Sequence, residues 1–150
     1  YLLFIDADVE IYQEDLITKS VSKMDKFDLY LLTGKLNSKN LIAKILYSIT
    51  NLLISISKFD KPFSVGAFMM MRRDVFNFVG GFPEDVLHCE DYLLSKEINP
   101  RRFGIINGSF WMDDRRFKKM GYFGMVKYII VNLINRNNYD YFKKDIKYWE

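Results

Sequence analysis

The chain has 150 residues, 49% of them hydrophobic, 17% aromatic and 27% charged, with a formal net charge of +3. That composition supports one sizeable core in one domain and excludes a disordered chain. So small a net charge does not argue for nucleic-acid binding, and a single cysteine, Cys89, excludes a disulfide framework and a cysteine-only zinc site, which favours a reducing, cytoplasmic setting.

The charge is uneven. From Arg101 onward there are 11 Lys and Arg against 5 Asp and Glu, a balance of +6 that leaves −3 for the first hundred residues. At the start of the chain an apolar run, Tyr1 to Ile5, stops at Asp6-Ala7-Asp8. A short apolar run bounded by polar residues reads as a buried strand, with Asp8-Val9-Glu10 leading towards a helix. In an extended segment Asp6 and Asp8 project on the same side at the strand's carboxyl end, where open α/β sheets place ligands. Like charges that close need a cation, a proton or a donor. One reading is a site for a hard divalent metal carrying a phosphate-bearing substrate. The other is a helix cap at Asp8 beside an incidental Asp6. Because Tyr1 already lies in a strand-like run, the chain is expected to be part of a longer one.

Gln13 to Asp25 carries Leu16, Ile17, Val21 and Met24 at helical spacing and reads as a surface helix. Asp28 to Leu36 reads as a second strand, in which Gly34 marks a bulge or a close backbone approach. In Leu41 to Ile56 the residues Leu41, Ile45, Ile49, Leu52/Leu53 and Ile56 form an apolar stripe, with Lys44, Ser48 and Asn51 elsewhere. The run is short for a membrane span, so the stripe is expected to pack on the sheet or to lie at a lipid interface.

Gly66-Ala67 opens an apolar run, Phe68 to Met71, whose methionines read as core filler. Asp74 is placed to cap a helix from Val75 to Val79, stopped by Gly80-Gly81. Small residues at Gly66 and Ala67 leave room for a substrate near the backbone. Glu90-Asp91 opens a helical stretch running towards Asn99-Pro100. Dipole and capping effects alone account for such a pair, but a carboxylate facing a cavity can equally act as a general base. His88 is a possible ligand, although a lone His is more often structural, and Cys89 reads as a buried apolar residue. Asp113 or Asp114 is placed to cap a helix that begins with Arg115-Arg116. Arginines are electrostatically unfavourable in a first turn, so they form either a solvated basic face or a contact to an anion such as a diphosphate. The stretch from Tyr122 to Ile134 is again too short to span a bilayer. With Lys118, Lys119 and Arg136 nearby, it suits a peripheral contact with an anionic membrane or docking against another part of the protein.

Taken in order, four segments form a pattern: D-A-D-V, G-A-F-M-M-M-R-R-D-V-F-x-x-V-G-G-F, E-D-Y-x-L-S and R-R-F-x-K-x-G. This pattern, from Phe4 to about Tyr128, resembles the family 2 glycosyltransferases with the GT-A fold. The resemblance implies an α/β fold: a partial GT-A (Rossmann-like) domain with a mixed sheet flanked by helices, starting at the D-x-D strand. It further implies metal-dependent transfer of a sugar from a nucleotide-diphosphate sugar to an acceptor hydroxyl, usually with inversion.

By the same resemblance, Asp6 and Asp8 would hold Mg²⁺ or Mn²⁺ against the donor diphosphate. Asp91, with Glu90 beside it, would be the base that deprotonates the acceptor. Gly66, Ala67 and Gly81 would line donor and acceptor, and Arg115 or Arg116 would contact phosphate, although Met112-Asp113-Asp114 departs from the small or hydroxyl residue that relatives carry there. Residues 1–136 would be the metal and acceptor half of a catalytic domain, inactive or weakly active without an upstream nucleotide-binding half, and 137–150 a polar, aromatic tail. The expected partners are a nucleotide sugar and a glycan or lipid-linked acceptor, with peripheral contact at the cytoplasmic membrane face and no nucleic acid. A metal-dependent nucleotidyl- or phosphotransferase, and a non-catalytic glycan- or lipid-binding relative, are the alternatives.

Overall fold

A computed structural model describes residues 1–113 and 115–146; the side chains of residues 108, 109 and 116 lie outside the described set. The strands are β1 (Leu2–Phe4), β2 (Val9–Ile11), β3 (Leu31–Asn37), β4 (Met69–Met71) and β5 (Phe103–Met112). The helices are α1 (Leu16–Lys26), α2 (Leu41–Ser57), α3 (Arg73–Phe78), α4 (Glu90–Ser95), α5 (Arg115–Ile134) and α6 (Tyr139–Phe142), with a 3₁₀ turn at Pro100–Arg102. One mixed sheet runs in the order β1-β4-β3-β5-β2. Only β3 and β5 are parallel, and every other pair is antiparallel.

Neighbouring strands are about 4.8 Å apart, so a flat five-stranded sheet would separate its edges by roughly 19 Å. Here the edge strands β1 and β2 are joined by only four residues. A turn in which the Val9 N–H donates to the Asp6 carbonyl (3.2 Å) shortens that link further. Such a link reaches about 14 Å at most. The sheet therefore curls. Its bend sits where β3 and β5 change register: Gly34 pairs with Ile106, but Lys35 pairs with Ser109, so two residues of β5 are extra. At Gly34 the backbone approaches closely, as its sequence position suggests, because a Cβ there would collide with the buried Phe110 ring.

The methionines of β4 are all buried and alternate between faces. Met70 packs with Leu32, Phe68, Phe110 and Phe117, whereas Met69 and Met71 pack with Leu31, Leu94, Ile98 and Phe103. A strand buried on both faces needs the continuous apolar run seen in the sequence. At the end of the sheet where β3 and β5 begin, Arg72 and Arg102 both bind Asp28, at 3.1 and 2.5 Å, and flank the Tyr30 ring.

Several expectations need correcting. Asp6 and Asp8 are not on an extended strand but in the β1–β2 turn, and Val9 to Ile11 is a strand rather than a lead into a helix. The Asp74 side chain does not cap α3; it lies in the first turn and binds Arg72 at 2.8 Å, while Gly80 and Gly81 end the helix at φ values of 89° and 76°. Helix α4 ends at Ser95, and Asn99 instead caps the following 3₁₀ turn through the Arg101 N–H. Asp113 accepts from the Arg115 N–H at the head of α5 (2.9 Å), whereas Asp114 lies outside the described residues. Helix α5 is kinked at Gly121, where φ is 71°.

For α2 it is the sheet-packing reading of the stripe that fails. Its aliphatic stripe faces outward: Leu41, Ile45, Ile49, Leu52 and Ile56 are each at least 50% exposed. The inward face is Ala43, Tyr47, Thr50 and Ile54. The Asn51 amide decides this facing, since it donates to the Leu36 carbonyl (2.8 Å) and accepts from the Leu36 N–H (2.9 Å). A partly buried backbone pair left without those partners would cost more than an exposed isoleucine loses by staying in water. Asn51→Ala should lower the urea-unfolding free energy by about 1–3 kcal/mol. Ile49→Ala should change it by only about 0.5 kcal/mol. The opposite order would mean that the stripe is the packed face.

Candidate functional site

Three residues far apart in sequence meet at Gly66. Asp6 arrives from the β1–β2 turn, two residues beyond Phe4↔Met69, the last pair between β1 and β4. Asp91 arrives from the first turn of α4, and its carboxylate accepts the Gly66 N–H and its neighbour's N–H, from Tyr92, each at 2.7 Å. A Cβ built on Gly66 would stand 3.4 Å from Asp6 Oδ1 and 3.7 Å from Asp91 Oδ2, so both carboxylates converge on the hydrogen-bearing face of this glycine.

Around this point lies a cavity of about 390 Å³, within the range of small-molecule sites. Its polar wall includes Asp6, Gly66, Glu90 and Asp91, and the rest is largely aliphatic and aromatic, supplied by α2 and α5. It sits beyond the carboxyl end of β1, where the sequence placed a ligand.

Burial raises the Asp91 carboxyl to about 6, with the Glu90 charge as the second cause and Asp6 a smaller one; the N–H bonds from Gly66 and Tyr92 oppose the shift. A carboxylate titrating there is matched to proton transfer near neutral pH. Its position depends on strain one residue earlier. Cys89 has φ 58° and ψ 31°, a left-handed conformation that costs a residue with a Cβ roughly 1–2 kcal/mol. That turn is what starts α4 with Glu90 and Asp91 at the cavity wall.

Asp8 is placed differently from Asp6. Its carboxylate binds the Arg115 guanidinium at 3.0 Å, and the same guanidinium binds Asp113 at 3.1 Å. The fold thus brings a residue of the basic carboxyl-terminal region onto the acidic motif. Asp8 is only 17% exposed but Arg115 is 68% exposed, so the pair is held from one side. Among the described residues no three or more His, Cys, Asp or Glu side chains are grouped to hold a metal ion. Asp6 and Asp8, the pair the motif resemblance singles out, would offer Mg²⁺ or Mn²⁺ only two hard carboxylates, so water or phosphate oxygens would have to complete the shell. The residues fit the ion in that sense, and a guanidinium now supplies the positive charge at Asp8.

Ala67 is buried and lines the cavity with Gly66. Gly81 is not at the cavity; it closes α3, and a Cβ there would face the Phe76 ring at 3.3 Å. The Arg116 side chain lies outside the described residues. His88 is structural, as read from sequence: it is fully buried against the rings of Tyr141 and Phe142, neither ring nitrogen has a hydrogen-bond partner among the described residues, and burial lowers its pKa. Sequence reasoning missed the contribution of α5 to the cavity, from Met125 to Leu133, because a polar–apolar pattern says which residues are apolar and not which helix they face. No helix among the described residues is long and apolar enough to cross a membrane. No protein-family model matches the chain, and no curated protein sequence does so either.

Cys89 is half-buried and hydrogen-bonded to the Tyr128 hydroxyl at 3.3 Å, and burial together with the Asp91 and Glu90 charges pushes its thiol up to about 12. Only the thiolate reacts with disulfide reagents. At pH 8, labelling of the folded protein by an aromatic disulfide should be on the order of 10³ slower than in urea. Equal rates would place Cys89 outside this environment.

Proposed function

We propose that this chain carries the metal and acceptor side of a family 2 glycosyltransferase with a GT-A-type arrangement, transferring a sugar from a nucleotide-diphosphate sugar to an acceptor hydroxyl with inversion. One observation carries the reading: Asp6, Gly66 and Asp91, the residues to which the motif resemblance gives separate roles, converge on one cavity wall.

In this mechanism the acceptor hydroxyl gives its proton to the ionised Asp91 carboxylate. Its oxygen forms a bond to the anomeric carbon while the carbon–oxygen bond to the diphosphate breaks. The electron pair of that bond leaves on the phosphate oxygen, on the opposite side of the sugar. Two backbone N–H bonds fix the Asp91 carboxylate, leaving its remaining lone pairs for the proton. The bare face of Gly66 lets the sugar approach the backbone between the two carboxylates. Asp6 and Asp8 are the residues that would hold Mg²⁺ or Mn²⁺, which when bound supplies charge for the leaving diphosphate. Arg115, exposed and paired among the described residues with Asp8 and Asp113, would be a second cation for that charge.

In the complete protein Asp91→Asn should lower sugar transfer by about 10²–10⁴-fold, the usual share of a general base. Near-normal turnover would remove Asp91 from that role, and a transferred phosphate in the products would replace the reaction class altogether. Because transfer needs the ionised carboxylate, the wild-type rate should fall about tenfold per pH unit below about 6 and level above it. Gly66→Ala puts its methyl at ordinary contact distance from both carboxylates. Melting should therefore stay close to wild type while transfer drops, and a variant that transfers normally would show that no substrate approaches there.

A further inference from the structure

The cavity is larger and more apolar than deprotonating a hydroxyl requires. From the carboxylates of Asp6, Glu90 and Asp91 its lining continues along Leu53 of α2 and Met125, Ile129 and Leu133 of α5, with Thr50, Ser57 and Asn132 as polar interruptions. The lining also includes an ion pair between Asp60 and Arg136 (3.6 Å). A sugar chain presents hydroxyls along its whole length, and a wall so largely apolar would leave most of them without partners. A hydrocarbon chain has no such cost, and gains from every methylene it removes from water.

A second observation concerns how such a chain would arrive. The outward stripe of α2 is five leucines and isoleucines, and α5 exposes Phe123, Ile130 and Ile134 as well. Neither helix contains an acidic residue: between Leu29 and Phe59 there are four lysines and no Asp or Glu, and α5 carries only basic charges. Aliphatic side chains interspersed with lysine and arginine, free of carboxylates, suit the surface of an anionic bilayer. The two helices that wall the cavity thus also present the lipid-compatible faces.

We propose that the acceptor is a hydroxyl-bearing membrane lipid whose hydrocarbon chain lies in the cavity between α2 and α5, with its hydroxyl at Asp91. The assignment deepens the glycosyltransferase reading and rests on it for the chemistry at the hydroxyl, but the chain site itself rests on the cavity alone. It predicts a ladder of affinities that needs no sugar donor. Hexanol, octanol and decanol titrated calorimetrically into the complete protein should bind roughly fourfold tighter per added methylene. Leu53→Trp and Ile129→Trp, which fill the cavity from opposite walls and touch none of the carboxylates, should each weaken decanol binding at least about tenfold while the thermal melt is retained. Should one of the two fail to fold, the other carries the comparison.

Affinity that does not rise with chain length, or a folded tryptophan variant that binds decanol as wild type does, overturns the chain site. The two readings fail separately. A flat ladder in a protein that still transfers sugar through Asp91 removes the lipid and leaves the reaction. A steep ladder in a protein that transfers no sugar overturns the acceptor assignment by removing its chemistry.

Discussion

The arrangement depends on a constraint of chain length. Four residues connect the two edges of a five-stranded sheet, and they can do so only if the sheet bends back on itself. The bend is permitted by the register change between β3 and β5 and by the missing side chain at Gly34, against which Phe110 packs. Its product is the Asp6-Ala7-Asp8 turn. The same geometry that closes the sheet holds one carboxylate over the amino end of β4 and sends the other towards the head of α5.

Electrostatics then sorts the carboxylates by environment. Asp8 has a guanidinium. Asp91 has two backbone donors but lies deeper and beside Glu90, and the burial outweighs the donors. Two groups of identical chemistry thereby meet different surroundings, an ion pair at Asp8 and a buried, donor-held site that raises the proton affinity of Asp91. The left-handed backbone at Cys89 and its half-buried, unionised thiol belong to the same compromise, in which local strain is accepted where the acidic pair enters the cavity.

Much of this was legible in sequence, for identifiable reasons. The Asp6-Ala7-Asp8, Gly66-Ala67 and Glu90-Asp91 segments stood out because apolar runs ended abruptly at charge or at small residues, and all three reach the cavity. Helix α2 was legible in extent to within a residue, yet not in orientation. Its largest aliphatics were the natural inward face, and the deciding interaction was a single amide, Asn51, matched to the Leu36 N–H and C=O of β3. The D-x-D segment was misread as extended because a tight turn between two three-residue strands carries no periodic signal. Strand β5, interrupted by Asn107-Gly108, gave an equally weak one, although it pairs with both β3 and β2. The pairing of Asp8 with Arg115 spans 107 positions and had no local trace.

The brevity of the edge strands has a bearing on how the molecule meets others of its kind. Each edge strand is three residues long. An incoming strand would find few free backbone groups to extend the sheet, the usual route to fibrous aggregation. Self-association is therefore steered away from backbone hydrogen bonding and towards side chains, where the outward leucines and isoleucines of α2 are the adhesive surface. Contacts of that kind are reversible and respond to detergent, which sets the terms on which the protein should be purified and stored.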